Sequence, residues 1–278
     1  MSSAIPQAPL PCHPHAAKPR SLLHALPLHG HLSLQTKEKI LCLELMSIDS
    51  FKALSQNPSL EQATLSSIHH VISFLHTKGL SQSDLPRIIG MCPQALTSSI
   101  KYDLLPVFDF LSKDLRVSDS QFRRVINKCP RFLVSSAENQ LKPCLFYLQR
   151  LGFRDLQALA YNDSVLLVSN VENTLIPKLR YLESIGFSRH EAVCMVLRCP
   201  ALFTFSIENN FKPKFEFYLE MGRKLEELRE FPQYFAFSLE KRIKVRHEEA
   251  LKSAVHMPLS VMLKANDSQF KHILMTHS

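Results

Sequence analysis

The sequence predicts an all-α solenoid of about six repeats, on three observations. A proline anchor recurs at positions 58, 93, 130, 200 and 232, with Ser164 holding the same register, so that intervals run from 32 to 37 residues. A second proline follows thirteen residues later at 106, 143, 177 and 213, and a glycine nine residues after that at 152, 186 and 222. Apolar residues keep step: Leu96, Leu133, Leu167, Phe203 and Phe235 lie three after the anchors, and Phe110, Tyr147, Tyr181 and Phe217 seventeen after. One helix pair of this size cannot cover its own apolar face, so successive pairs must stack and share it.

Residues 1 to 37 stand apart from the repeats at 38 to 278. Lys18, Arg20 and Lys37 are their only formal charges, and Pro, Ser, His, Ala and Leu dominate. Such an acid-free stretch predicts an organelle transit peptide, although a disordered, unprocessed tail has the same composition. Six prolines and one arginine suit a mitochondrial amphipathic leader poorly. A chloroplast is therefore the expected destination, with the mitochondrion as the alternative.

"SQNPSL" around Pro58 is a weaker first copy, and "MCPQALTSSIKYDLLPVFDFL" is the first full one. The unit beginning at Ser118 explains the rest. Ser118 and Asp119 can cap a helix, and Phe122, Val125 and Ile126 share one face at helical spacing. Pro130 lacks the N–H the ladder needs and restricts its predecessor, so that helix should end near Lys128, and "PRFLVSS" has room for a 3-10 turn. A second helix should run from about Glu138 to Arg150, starting or bending at Pro143 and closing on a left-handed Gly152. "YNDSVLLVSNVENTLIPKLRYLESIGF" repeats the unit without its anchor proline, "RCPALFTFSIENNFKPKFEFYLEMG" repeats it in full, and "EFPQYFAFSLEKRI" is the weaker last copy.

No window holds 18 consecutive apolar residues, so no transmembrane helix is expected. Seven cysteines without a C-x-x-C pair support neither a disulfide framework nor a zinc ribbon. Cys92, Cys129 and Cys199 precede anchors and read as small apolar packing. His69, His70 and His76 lack a third ligand at metal spacing, and no phosphate loop, nucleophile elbow, H-E-x-x-H or dinucleotide fingerprint occurs. Neither an enzyme nor a cofactor is expected.

The Cys-Pro pairs at 92–93, 129–130 and 199–200, the later prolines, and above all "FPQYFAFSLEKRIKVRHEEALK" at 231–252 resemble the mitochondrial transcription termination factor (mTERF) family. The likeness spans about residues 48 to 275. Ser164 and Val245 depart from it, each standing where the pattern calls for proline. The resemblance implies two α-helices and a 3-10 turn per unit, curved into a half-ring with a basic inner path for nucleic acid. It further implies a role in ending transcription, or in the processing, maturation or accumulation of plastid transcripts and ribosomal RNA.

Net charge is +8, of which the leader contributes +3. Residues 38 to 120 hold 7 basic and 9 acidic side chains, whereas 121 to 278 hold 23 and 16. The positive field is thus regional, as a phosphate path requires. Repeat register groups the cations into rows: Lys128 and Arg198 two before the anchor, Lys142 and Lys212 twelve after, Lys178 and Lys214 fourteen after. Arg123, Arg124, Arg131, Arg180, Lys241, Arg242, Lys244 and Arg246 complete the candidates. Each phosphate so neutralised would add to the salt dependence of binding. The expected partner is organellar nucleic acid, double-stranded DNA or RNA, bound by a monomer, with other organellar gene-expression proteins as further partners. The rival reading is a protein-binding scaffold in an organellar ribonucleoprotein or ribosome-assembly complex, because the same architecture also presents its concave face to proteins.

Overall fold

Each anchor proline opens a short 3-10 turn between two helices, and this motif builds the chain. The computed structural model describes residues 33–276. Six leading helices, Ser50–Gln56, Leu85–Met91, Phe122–Lys128, Leu156–Tyr161, Arg189–Arg198 and Leu225–Glu230, run up to the six anchors. The turns that follow are Pro58–Glu61, Pro93–Thr97, Pro130–Val134, Pro200–Thr204 and Pro232–Ala236. Five of the residues before the anchors share one backbone shape, with φ between −127° and −139° at Asn57, Cys92, Cys129, Cys199 and Phe231. That is the extended region a following proline enforces. Where Ser164 replaces proline, Asp163 relaxes to φ −117°, ψ 27°, and the turn becomes a one-turn α-helix, Ser164–Leu167.

The second helix of a unit is not regular from its start. Ser99, Ser136, Asn170, Ser206 and Ser238 each cap it, accepting the N–H of the residue three ahead. Their carbonyls accept from residues five ahead, Leu104, Leu141, Leu175, Phe211 and Ile243, at 3.0–3.2 Å. The π-turns Ile100–Leu104, Ala137–Leu141, Val171–Leu175, Ile207–Phe211 and Leu239–Lys244 result, leading into Leu105–Asp109, Lys142–Leu151, Ile176–Ser184, Lys212–Glu220 and Val245–Lys252. Four of these α-segments carry the second proline near their start, where a wide preceding turn relieves the clash between its ring and the carbonyl four back. The turn persists before Val245, so it does not require the proline. In the first unit Leu65–Thr77 is plain α-helix capped by Thr64.

Helix Leu34–Leu45 precedes the units, and Leu259–Lys264 and Asp267–Thr276 follow them. Of the residues expected to form a leader, 1 to 32 lie outside the described residues, and Ser33 caps that first helix through its hydroxyl. Ser118 starts the 3-10 turn Asp119–Gln121 without a side-chain bond to the backbone, so the cap expected there is not made. Gly152 closes its helix at φ +113°, ψ 4°, with the Leu197 side chain 3.1 Å from where a Cβ would lie.

One apolar cluster runs from Leu43 to Phe270. The row three after the anchors is fully buried from Leu96 through Phe235. The row seventeen after is buried at Phe110 but only partly at Tyr147, Tyr181 and Phe217, which pack along the edge of the cluster. Among the described residues there is no strand, and no helix is long and apolar enough to cross a membrane.

Candidate nucleic-acid interface

The fourteen cations picked out by repeat register divide into three groups according to what their charged ends meet. Seven are bonded across unit boundaries. Fourteen after the anchor, Lys178 donates to the Phe203 carbonyl and Lys214 to that of Phe235 at 2.6 Å, each carbonyl three past the next anchor. Arg246, in the same register, donates to the Met262 and Ala265 carbonyls at 2.7 and 2.6 Å and pairs with Asp267 at 2.5 Å. Lys39, ahead of the first unit and outside the register rows, makes the same kind of contact, reaching the Leu60 and Glu61 carbonyls at 3.2 and 2.6 Å. Even Cys144, which holds this register in the third unit, donates its thiol to the Leu166 carbonyl at 3.0 Å.

The row two before the anchor works alike at the other end. Lys128 donates to the Tyr161 carbonyl at 2.6 Å, and Arg198 to those of Arg229 and Glu230 at 3.1 Å. These acceptors close the leading helix of the next unit, where carbonyls lack partners and a cation complements the helix dipole. Arg123 bridges to Asp84 at 2.8 Å and to the Ser81 hydroxyl at 3.2 Å, and Arg242 donates to the Leu263 and Ala265 carbonyls at 2.9 and 2.7 Å. Arg123 holds the Asp84 carboxyl well below the usual carboxylate range.

Two of the expected phosphate rows are therefore clips between units. Lys214 and Arg246 are buried, at 7% and 3% exposure, and cannot reach a ligand on the surface. Burial lowers the Lys178 pKa and brings that of Lys214 to about 8. In the row fourteen after the anchor the stack accounts for this placement: the 3-10 turns leave carbonyls at least partly buried, and a donor on the neighbouring unit satisfies them.

The second group faces solvent. Twelve after the anchor, Lys142, Lys212 and Lys244 pair with Glu138, Glu208 and Glu240 one turn back. Their lysine side chains remain 43%, 46% and 36% exposed, and such surface pairs are weak enough to exchange for a phosphate. Lys244 also lies 5.7 Å from the centre of the Phe217 ring. The third group, Arg124, Arg131, Arg180 and Lys241, is exposed, and Arg124 lies over the Tyr161 ring at 5.1 Å.

Exposed positive charge concentrates on the third unit, where Arg124, Arg131, Lys142, Arg150 and Arg154 accompany the single acid of residues 121 to 154, Glu138. Register reasoning missed Arg150, which recurs too irregularly to form a row. It lies 5.7 Å from the Phe146 ring centre, and Phe146 is 61% exposed. Two adjoining grooves of about 660 and 440 Å³ open beside them, sharing Tyr147 and Arg189 in their walls. Cys92, Cys129 and Cys199 are buried, which pushes their thiols up and fits packing.

The mTERF family profile matches residues 31–159 and 159–271. Over 80 residues the chain is 36% identical to transcription termination factor MTERF5, chloroplastic, of Arabidopsis thaliana, covering 29% of this chain and 16% of that protein. It is 38% identical over 77 residues to transcription termination factor MTERF4, chloroplastic, of Oryza sativa subsp. japonica, covering 27% and 15%. It is 35% identical over 78 residues to transcription termination factor MTERF2, chloroplastic, of Arabidopsis thaliana, covering 28% and 12%. The matched stretches span about a sixth or less of these relatives.

Proposed function

The chain belongs to the mTERF family, and on that premise we propose that it binds organellar nucleic acid and regulates plastid gene expression. It does so without catalysis, by ending transcription or by governing the processing, maturation or accumulation of plastid transcripts and ribosomal RNA. One observation carries this reading. The third unit keeps Arg124, Arg131, Lys142, Arg150 and Arg154 exposed, beside Arg123 and Lys128 of the same unit, which are bonded to neighbouring units. A stack clipped together by its own lysines and arginines presents the remaining charges at repeat spacing, which suits a regular phosphate backbone. The plastid assignment rests on relatives whose names read chloroplastic and on the acid-free first 37 residues.

Binding is tested with the triple variant Arg124→Glu, Arg131→Glu, Lys142→Glu against plastid DNA and RNA at moderate salt. Reversing three charges should weaken binding at least a hundredfold while the thermal midpoint stays put. Wild-type affinity in the triple variant would overturn the proposal. Residues 1 to 45 fused to a fluorescent reporter should reach plastids; a mitochondrial or cytosolic signal would refute that part.

A further inference from the structure

Within the helix Lys142–Leu151, the residues Lys142, Phe146 and Arg150 follow one another four apart and all three are exposed. Four residues advance about 6 Å along a helix and return nearly to the same face, so an aromatic ring lies between two cations on one stripe. In the next unit Arg180 occupies the register of Phe146 and lines the groove of about 440 Å³ with Tyr147, Glu183 and Arg189. The larger groove lies between Lys142–Leu151 on one side and the turn Val171–Leu175 with helix Arg189–Arg198 on the other, with Phe146, Arg150, Val171, Glu172 and Arg189 in its walls.

The same register elsewhere is hostile to anions. Asp109, Glu216 and Glu248 fill it in the second, fifth and sixth units, and in the first Phe74 is half-buried edge-on to Phe108 at 5.7 Å. An attractive window is thus confined to units three and four. Its exposed Phe146 gains nothing from duplex phosphates, whereas the face of an unpaired base would stack on it, strengthened by the neighbouring guanidinium.

We infer that this stripe and groove bind single-stranded nucleic acid, one unpaired base stacking on Phe146 while Lys142, Arg150 and Arg180 hold the flanking phosphates. The inference rests on the nucleic-acid reading above and narrows it to unpaired strands at this site. It leaves RNA and DNA to be distinguished, since stacking and phosphate contact are common to both.

The chain contains no tryptophan, so Phe146→Trp places a single fluorescent reporter in the window. The full chain is titrated with a short pyrimidine-rich RNA, the DNA of the same sequence, and the duplex. Single strands should quench Phe146→Trp and the duplex should not. Phe146→Ala should weaken single-strand binding about tenfold or more and leave duplex binding and the thermal midpoint unchanged, with Phe146→Tyr restoring the affinity. Whichever of RNA and DNA binds more tightly reveals the sugar preference. Unaltered single-strand affinity in Phe146→Ala, or no quenching at saturation, would overturn the inference while duplex binding left the broader reading standing. A wild-type chain that bound neither strands nor duplex would defeat both.

Discussion

Lys214 places an ammonium group against the Phe235 carbonyl and 5.8 Å from the Phe205 ring centre, almost out of contact with water. From the sequence it was one rung of a surface row; nothing in a register distinguishes a lysine that faces solvent from one that folds back on the next unit's carbonyl. Burial lowers its pKa from 10.5 to about 8. An unfolded lysine keeps its proton up to the higher value, so between the two values the unfolded chain binds more protons and stability must rise with pH. Below about pH 8 the penalty of the buried charge is constant. The unfolding free energy of the wild type, measured relative to Lys214→Met, should therefore increase between pH 7.5 and 9.5. A difference flat across that interval would mean that the ammonium is hydrated in the native state.

At the scale of an element, the anchor turn was the most legible feature. Proline dictates its neighbours' backbone, so the end of Phe122–Lys128 and the 3-10 turn Pro130–Val134 fall where the sequence places them. The π-turns were not legible. They come from a serine or asparagine cap competing with a regular ladder, and a cap followed by an apolar residue looks the same before a plain helix, as Thr64 shows. Ser164 is the exception among the anchors, fully buried, with a hydroxyl that has no hydrogen-bond partner among the described residues. Removing an unsatisfied buried hydroxyl should stabilise the protein, so Ser164→Ala is expected to gain about 1 kcal/mol in urea unfolding. A loss of similar size would show that the hydroxyl is satisfied in solution.

Across the whole molecule, the repeat period, the stacking and the shared core followed from the spacing of prolines and large apolar residues, because a solenoid writes its contacts as a period. The candidate site was legible only as a surplus of cations. Which of them face solvent depends on carbonyls more than twenty residues away, as with Lys178 and Phe203 or Lys214 and Phe235. The stack thus uses basic residues in two ways, as clips that hold units together and as exposed charges that the proposed function assigns to nucleic acid. These uses separate in one measurement, the slope of log affinity against log salt for plastid RNA, set beside thermal midpoints. Glutamine replacing Arg131 or Lys142 should each reduce the slope by nearly one and leave the midpoint unchanged, whereas Lys178→Met and Arg246→Met should lower the midpoint and leave the slope of the folded protein intact. Equal slopes for the wild type and the Arg131 and Lys142 variants, or a reduced slope in the clip variants, would contradict the account.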